Sequence, residues 1–251
     1  MQKLSRKTAC LILTLVLFIS CRTREAPENH AVPQKDELVI LLHGLARSRQ
    51  SMEKIEKRLS RLGYRVVNLD YPSTKKTIPL LADEMLSGVV KRHCGASSSK
   101  IHFVTHSMGG IVVRYYLKHH KLLNLGRIVM ISPPNKGTEL VNFLDNSRIF
   151  AKFNTPSGRQ MGTEEGSIPL RLGPVDFELG VIAGDRSFNP LYSAILPGSD
   201  DGVVSVERTK VEGMKDFIVL PYCHTFIMQR DEVIEQVIHF LEQGAFKKNK
   251  S

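Results

Sequence analysis

The stretch "IHFVTHSMGGIVVRYYL", residues 101–117, decides how this chain is read. An apolar, β-branched run of strand length stops at Ser107, and beyond Gly109 and Gly110 a second run has the pattern of a helix. A strand that turns into a helix at one serine places that hydroxyl in a sharp bend. Ser107 is then either a reactive group or a cap for the helix that follows.

Outward from this stretch, strand-like and helix-like runs alternate. "ELVILLHG", "YRVVNLDYP", "KIHFVTHS", "GRIVMISPP", "FELGVIAG" and "DFIVLPY" read as strands. "SMEKIEKRLSRLG", "TIPLLADEMLSGVVKRH", "GGIVVRYYLKHH", "TELVNFLDNSRIFAKF" and "RDEVIEQVIHFLEQG" read as helices. Short unbroken apolar runs such as "LVILL" and "RIVMI" suit strands buried on both faces. The alternation predicts an α/β fold, a mostly parallel sheet with helices on both faces. Met52, Ile55, Leu59 and Leu62 recur at helical spacing with Gly63 as the stop, and Thr77 is placed to cap a helix with Pro79 in its first turn. Residues 154–176, rich in Gly, Pro, Ser and Thr, break the rhythm as an irregular excursion. With the helix from Thr138 it reads either as a small lid or as a plain surface loop.

The 251 residues, 42% hydrophobic, suit one globular domain. Residues 1–20 carry Lys3, Arg6 and Lys7 ahead of "CLILTLVLFIS", the layout of an export signal, and the apolar run is shorter than the roughly 20 residues that span a bilayer. "FISC" resembles a bacterial lipobox, which implies a lipidated Cys21 and a protein exported from a bacterial cytoplasm and held at a membrane surface. An ordinary signal peptide and an uncleaved anchor remain open as alternatives. Residues 21–36 read as a polar tether, 37–244 as the folded domain and 245–251 as a basic tail. The formal charge is +10, or +7 without the three signal cations, which favours anionic surfaces. The basic residues are scattered and no nucleic-acid motif is present, so no nucleic acid is expected as a partner. Nor do the dispersed histidines and lone cysteines form a metal set, and no cofactor motif occurs. A monomer is expected. Cys94 is expected before one strand and Cys223 after a neighbouring parallel one. About 16 Å of strand would separate them, too far for a disulfide.

"T-H-S-M-G" fits the strand-turn-helix context of the G-x-S-x-G nucleophile elbow, with Thr105 in the first small position. Together "LLHGLARS", "VTHSMGG" and "ISPPNKGTELVNFL" resemble the α/β-hydrolase lipases and esterases, especially their compact bacterial group, over roughly residues 37–243. The resemblance implies partners for Ser107 in the order acid, then histidine. His224, after "DFIVLPY", stands where the family keeps its base, while His239 belongs to a helix surface. Asp201, followed by Val204 in "GSDDGVVSVERT", matches the acid, with Asp200 the close alternative and Asp185 a turn residue. By the same resemblance the backbone amides of Leu45 and Met108 form the oxyanion hole. His43 and His106 read as structural, and "SPPNKGTEL" as a loop lining the pocket or a turn capped by Thr138.

These residues imply a serine hydrolase that cleaves carboxylic esters, a lipase or esterase, through an acyl-enzyme on Ser107. Its substrate would be an ester or lipid. A thioesterase or acyltransferase would use the same residues. A binding protein on the same scaffold, inactivated by crowding at Thr105, is the alternative of a different class.

Overall fold

Alternation along the strands sets the layers of this fold. In the computed structural model, which describes residues 35–93, 100–144 and 154–248, the six strands are β1 Glu37–Leu42, β2 Arg65–Leu69, β3 Lys100–His106, β4 Leu125–Ile131, β5 Leu179–Gly184 and β6 Asp216–Leu220. They form one sheet in the order β2-β1-β3-β4-β5-β6, every pair parallel. Leu38, Ile40 and Leu42 of β1 face one core while Val39 and Leu41 face the other, and Ile128 and Met130 of β4 oppose Val129 and Ile131 in the same way. Both faces are therefore apolar, as the unbroken hydrophobic runs require.

On the first face lie the helices Ser87–His93 and Met108–His119, whose Val89, Val90, Ile111, Val112 and Val113 fill that core. On the second lie Glu53–Arg61 and Asp231–Gln243, contributing Ile55, Leu59, Val233, Ile234 and Val237. Gly63, at φ +86°, ends the first of these by a left-handed turn that its missing Cβ permits. His239 is half-buried in the last helix, its Nδ1 2.7 Å from the Ala245 carbonyl oxygen.

Three expectations are corrected. Thr77 precedes the helical turn Ile78–Leu80 but makes no side-chain cap; Gln160 Oε1 instead accepts the Ile78 N–H at 2.7 Å, because the excursion packs against this helix end. The excursion is not irregular throughout, since it forms a 3₁₀ turn at Gly158–Met161 and a helix at Ile168–Leu172. β3 and β6 are not neighbours, because β4 and β5 lie between them. Cys223 is buried as a free thiol. Cys94, the segment 1–20, Cys21 and residues 145–153 lie outside the described residues.

Close packing at the end of β3 makes one glycine indispensable. A Cβ on Gly109 would lie 2.7 Å from the Leu42 carbonyl oxygen and 2.9 Å from that of His43, both backbone atoms of β1 and its loop. On Gly110 it would meet the Met130 sulfur at 3.0 Å and the Thr105 hydroxyl at 3.3 Å, atoms of side chains. Gly110→Ala is expected to cost about 1–3 kcal/mol, the usual price of overpacking. Gly109→Ala is expected to cost more and to prevent soluble expression or cooperative unfolding, as chemical denaturation of the two variants would register.

Candidate active site

Ser107 leaves β3 with φ 53° and ψ −126°, a conformation that side chains rarely adopt. The turn is held from both sides. The Ser107 N–H continues the sheet ladder to the Ile131 carbonyl at 2.9 Å, and its carbonyl accepts the Gly110 N–H at 3.0 Å. The Ser107 side chain makes no capping bond to the helix that follows. Its hydroxyl is thus directed to another group, and Ser107 does not cap the helix.

That group is His224, on the loop after β6, whose Nε2 lies 3.0 Å from Ser107 Oγ. His224 Nδ1 lies 2.8 Å from Asp201 Oδ2, on the loop after β5. The other Asp201 oxygen accepts the N–H groups of Val203 at 3.0 Å and Val204 at 2.8 Å, which fixes the carboxylate plane. The backbones are tied as well, with His224 N–H donating to the Asp201 carbonyl at 2.9 Å. Asp200 points elsewhere: its Oδ1 accepts from Ser193 Oγ at 3.0 Å and from the Gly202 N–H at 2.7 Å. Asp185 lies beside Arg186, with 3.7 Å between carboxylate and guanidinium. Of the aspartates on this loop, Asp201 is the one in contact with the imidazole.

Met108 is the first residue of its helix, so its N–H has no partner within the helix. Leu45 lines the same pocket as Ser107. Between them, Gly44 passes so close that a Cβ there would lie 3.0 Å from Ser107 Cβ. Such an arrangement can receive a carbonyl group, hand a proton from Ser107 to the imidazole and balance negative charge with backbone donors. Thr105 is fully buried and fits because it faces Gly110; the Ser107–His224 contact stays within hydrogen-bond reach with threonine in place.

His106 is bonded to the site itself. Its Nε2 lies 3.0 Å from the His224 carbonyl oxygen, and the two rings are 4.8 Å apart. Donation to that carbonyl puts the proton on Nε2 and leaves Nδ1 bare and without a partner. Burial and the neighbouring His224 hold its pKa well below the ordinary imidazole value. His43 stacks on Tyr71 with 4.1 Å between ring centres, and burial lowers its pKa too. The Tyr71 hydroxyl donates to the His43 carbonyl.

Sequence reasoning placed Leu45 and the loop "SPPNKGTEL" at the pocket but missed Arg47, Met161 and Val203, which complete its surroundings. The cavity beside Ser107 is lined by Leu45, Pro134, Thr138, Met161, Val203 and Val204, with Arg47 at the same pocket. Thr138 both accepts the Leu140 N–H and donates to the Val203 carbonyl, so its capping role and its place in the pocket wall coexist. Met161 comes from the excursion, where no periodicity marks it. Arg114, buried in the helix after Ser107, donates to the Asn135 carbonyl at 2.9 Å, to Asn135 Oδ1 at 3.1 Å and to the Gly173 carbonyl. Burial lowers its pKa to about 10.

Comparison with solved structures supplies the wider context. The mature form of a Bacillus licheniformis lipase, BlEst2, matches with a TM-score of 0.65, covering 88% of this chain and 94% of that one at 16% identity. The chain has the α/β-hydrolase fold. A family model described as "Putative serine esterase (DUF676)" matches residues 32–145 of this chain, a span that includes Leu45, Ser107 and Met108 and ends before Asp201 and His224. A lipase-esterase related protein from Clostridium acetobutylicum is similar with a TM-score of 0.56 and 15% identity, covering 83% of this chain and 96% of that one. The phospholipase PlaB from Legionella pneumophila gives a TM-score of 0.63 at 16% identity over 81% of this chain and 57% of its own. At these identities the likeness is one of fold. No curated protein sequence matches this chain.

The buried histidines make stability depend on pH. His43, His102 and His106 all have pKa values lowered by burial. Above about pH 6.5 these imidazoles are neutral in the folded and unfolded chain alike, and they contribute no pH dependence. Below it the unfolded chain takes up protons that the folded chain resists. Stability should then fall by up to about 1.4 kcal/mol per pH unit for each histidine until its folded pKa is reached. A thermal midpoint that is level from pH 7 to 8 and drops steadily from 6.5 to 5 is the expected result.

Proposed function

We propose that this hydrolase is a serine esterase that cleaves carboxylic esters through an acyl-enzyme on Ser107. The observation that carries the reading is the continuous relay from Asp201 through His224 to Ser107, with contacts of 2.8 and 3.0 Å, at a strained turn. Ser107 Oγ attacks the ester carbonyl carbon as its proton passes to His224 Nε2. Asp201 holds the imidazole by Nδ1 and stabilises its positive charge without taking the proton. The amides of Met108 and Leu45 receive the oxyanion, a term worth about 3 kcal/mol per donor. The proton then moves from His224 to the alcohol oxygen as the C–O bond breaks. Water enters by the same steps in reverse, so one ester and one water give one acid and one alcohol.

His106 has a supporting place in this scheme. Its neutral ring holds the His224 backbone by the carbonyl, so the imidazolium that forms during turnover meets no second positive charge 4.8 Å away.

A small fluorophosphonate is expected to label the wild type stoichiometrically and to leave Ser107→Ala unlabelled; a folded wild type that takes no label would sink the proposal. Asp201→Asn is expected to lower kcat by about 10³–10⁴-fold, as loss of the orienting carboxylate does elsewhere. Asp200→Asn keeps an oxygen for the Gly202 N–H and should cost less than tenfold, a contrast that steady-state kinetics resolves.

The lipobox-like "FISC" supports a second part of the proposal, that the enzyme is exported and anchored at a membrane through lipidated Cys21. Cys21→Ser should move the protein from the membrane to the soluble fraction. Retention in the membrane would make the apolar segment itself the anchor.

A further inference from the structure

The cavity beside Ser107 is small. It holds about 50 Å³, room for a few water molecules. Ordinary ligand pockets hold about 300–1,000 Å³. Its non-catalytic wall is mainly apolar, so the group it suits is a short hydrocarbon attached to the reacting carbonyl. What closes the cavity on the side of the excursion is Met161, only 3% exposed.

Met161 is held in place by its backbone and by the residues around it. The Thr138 N–H donates to the Met161 carbonyl at 3.0 Å. The preceding residue, Gln160, accepts the Ile78 N–H at 2.7 Å. On the other side, Gly137 has φ +81° and packs so closely that a Cβ there would lie 2.0 Å from the Gly162 carbonyl oxygen. The Thr163 N–H donates to Asn142 Oδ1 at 3.0 Å. The turn carrying Met161 is thus fastened to the loop after β4 and to the start of the helix at Ile78. A methionine side chain alone could rotate aside, but this one is packed in the core with Ile168 and Leu172.

We infer that the acyl side of the substrate is limited to acetyl- or propionyl-sized groups, with the Met161 side chain as the stop that excludes longer chains. The inference rests on Ser107 being the nucleophile. Replacing methionine by alanine removes Cγ, Sδ and Cε, which opens room for about three more chain atoms in line with the acyl group.

The test is kcat/KM for p-nitrophenyl acetate, butyrate and octanoate in the full-length protein. Wild type should favour acetate over octanoate by at least about 100-fold, within the range that a poorly fitting apolar group produces. Met161→Ala should raise the butyrate-to-acetate ratio at least about tenfold. A ratio is independent of the fraction of enzyme folded. Should Met161→Ala yield no folded protein, Val203→Ala, on another wall of the same cavity and half-buried, should move the ratio the same way by a smaller factor. Turnover that depends on Ser107 but favours octanoate, or a ratio unmoved in the folded variant, overturns the size limit alone. Absence of any turnover, or turnover that survives in Ser107→Ala, overturns the reading of the site and this inference with it.

Discussion

The bend at Ser107 is the constraint on which the rest of the site depends. A non-glycine residue at positive φ costs about 1–3 kcal/mol and persists only where its surroundings over-determine it. Here the ladder bond to Ile131 fixes the approach of β3, and Gly109 lets the helix lie directly on the backbone of β1. Gly44 leaves room beside the Ser107 Cβ itself. Two glycines, Gly109 of the helix and Gly44 of the loop after β1, therefore make room at this bend. The strain is repaid by direction: the Ser107 hydroxyl faces His224 and not the helix it begins.

The sheet explains why partners distant in sequence converge. In a parallel sheet all strands deliver their following loops to one edge, and there the loops after β3, β5 and β6 supply Ser107, Asp201 and His224. Side-chain contacts alone would leave these loops free to drift. Backbone bonds from His224 to Asp201, and from the His106 ring to the His224 carbonyl, hold them at fixed spacing. His106 belongs to β3, so the same strand that presents the serine also holds the loop that presents the histidine.

A second brace lies below the pocket wall. Arg114 reaches from the helix after Ser107 to the carbonyls of Asn135 and Gly173, and Asn135 Nδ2 continues to the Thr209 carbonyl at 2.8 Å. Among the described residues no carboxylate pairs with Arg114; its charge is met by neutral carbonyl oxygens, which is why burial depresses its pKa. Such a group is costly to bury, but its several directed donors fix the relative position of three segments at once. The excursion is thereby joined to the loop after β4, and Met161 comes to rest beside Ser107.

The sequence by itself determined the strands, their burial on both faces and the residue at which β3 turns, because these follow from local periodicity and from glycines at fixed offsets. The partner order implied by the family resemblance left His224 and His239, and the helical pattern around His239 set it aside. The sequence left Asp200 and Asp201 open, since adjacent residues differ only in which way the loop turns them. The contact of Asp201 with His224, the bond from His106 to the His224 carbonyl, the failed cap at Thr77 and the arrival of Met161 in the pocket were decided by tertiary structure. Each depends on segments far apart in sequence meeting at the carboxyl edge of the sheet, and no local pattern encodes that distance.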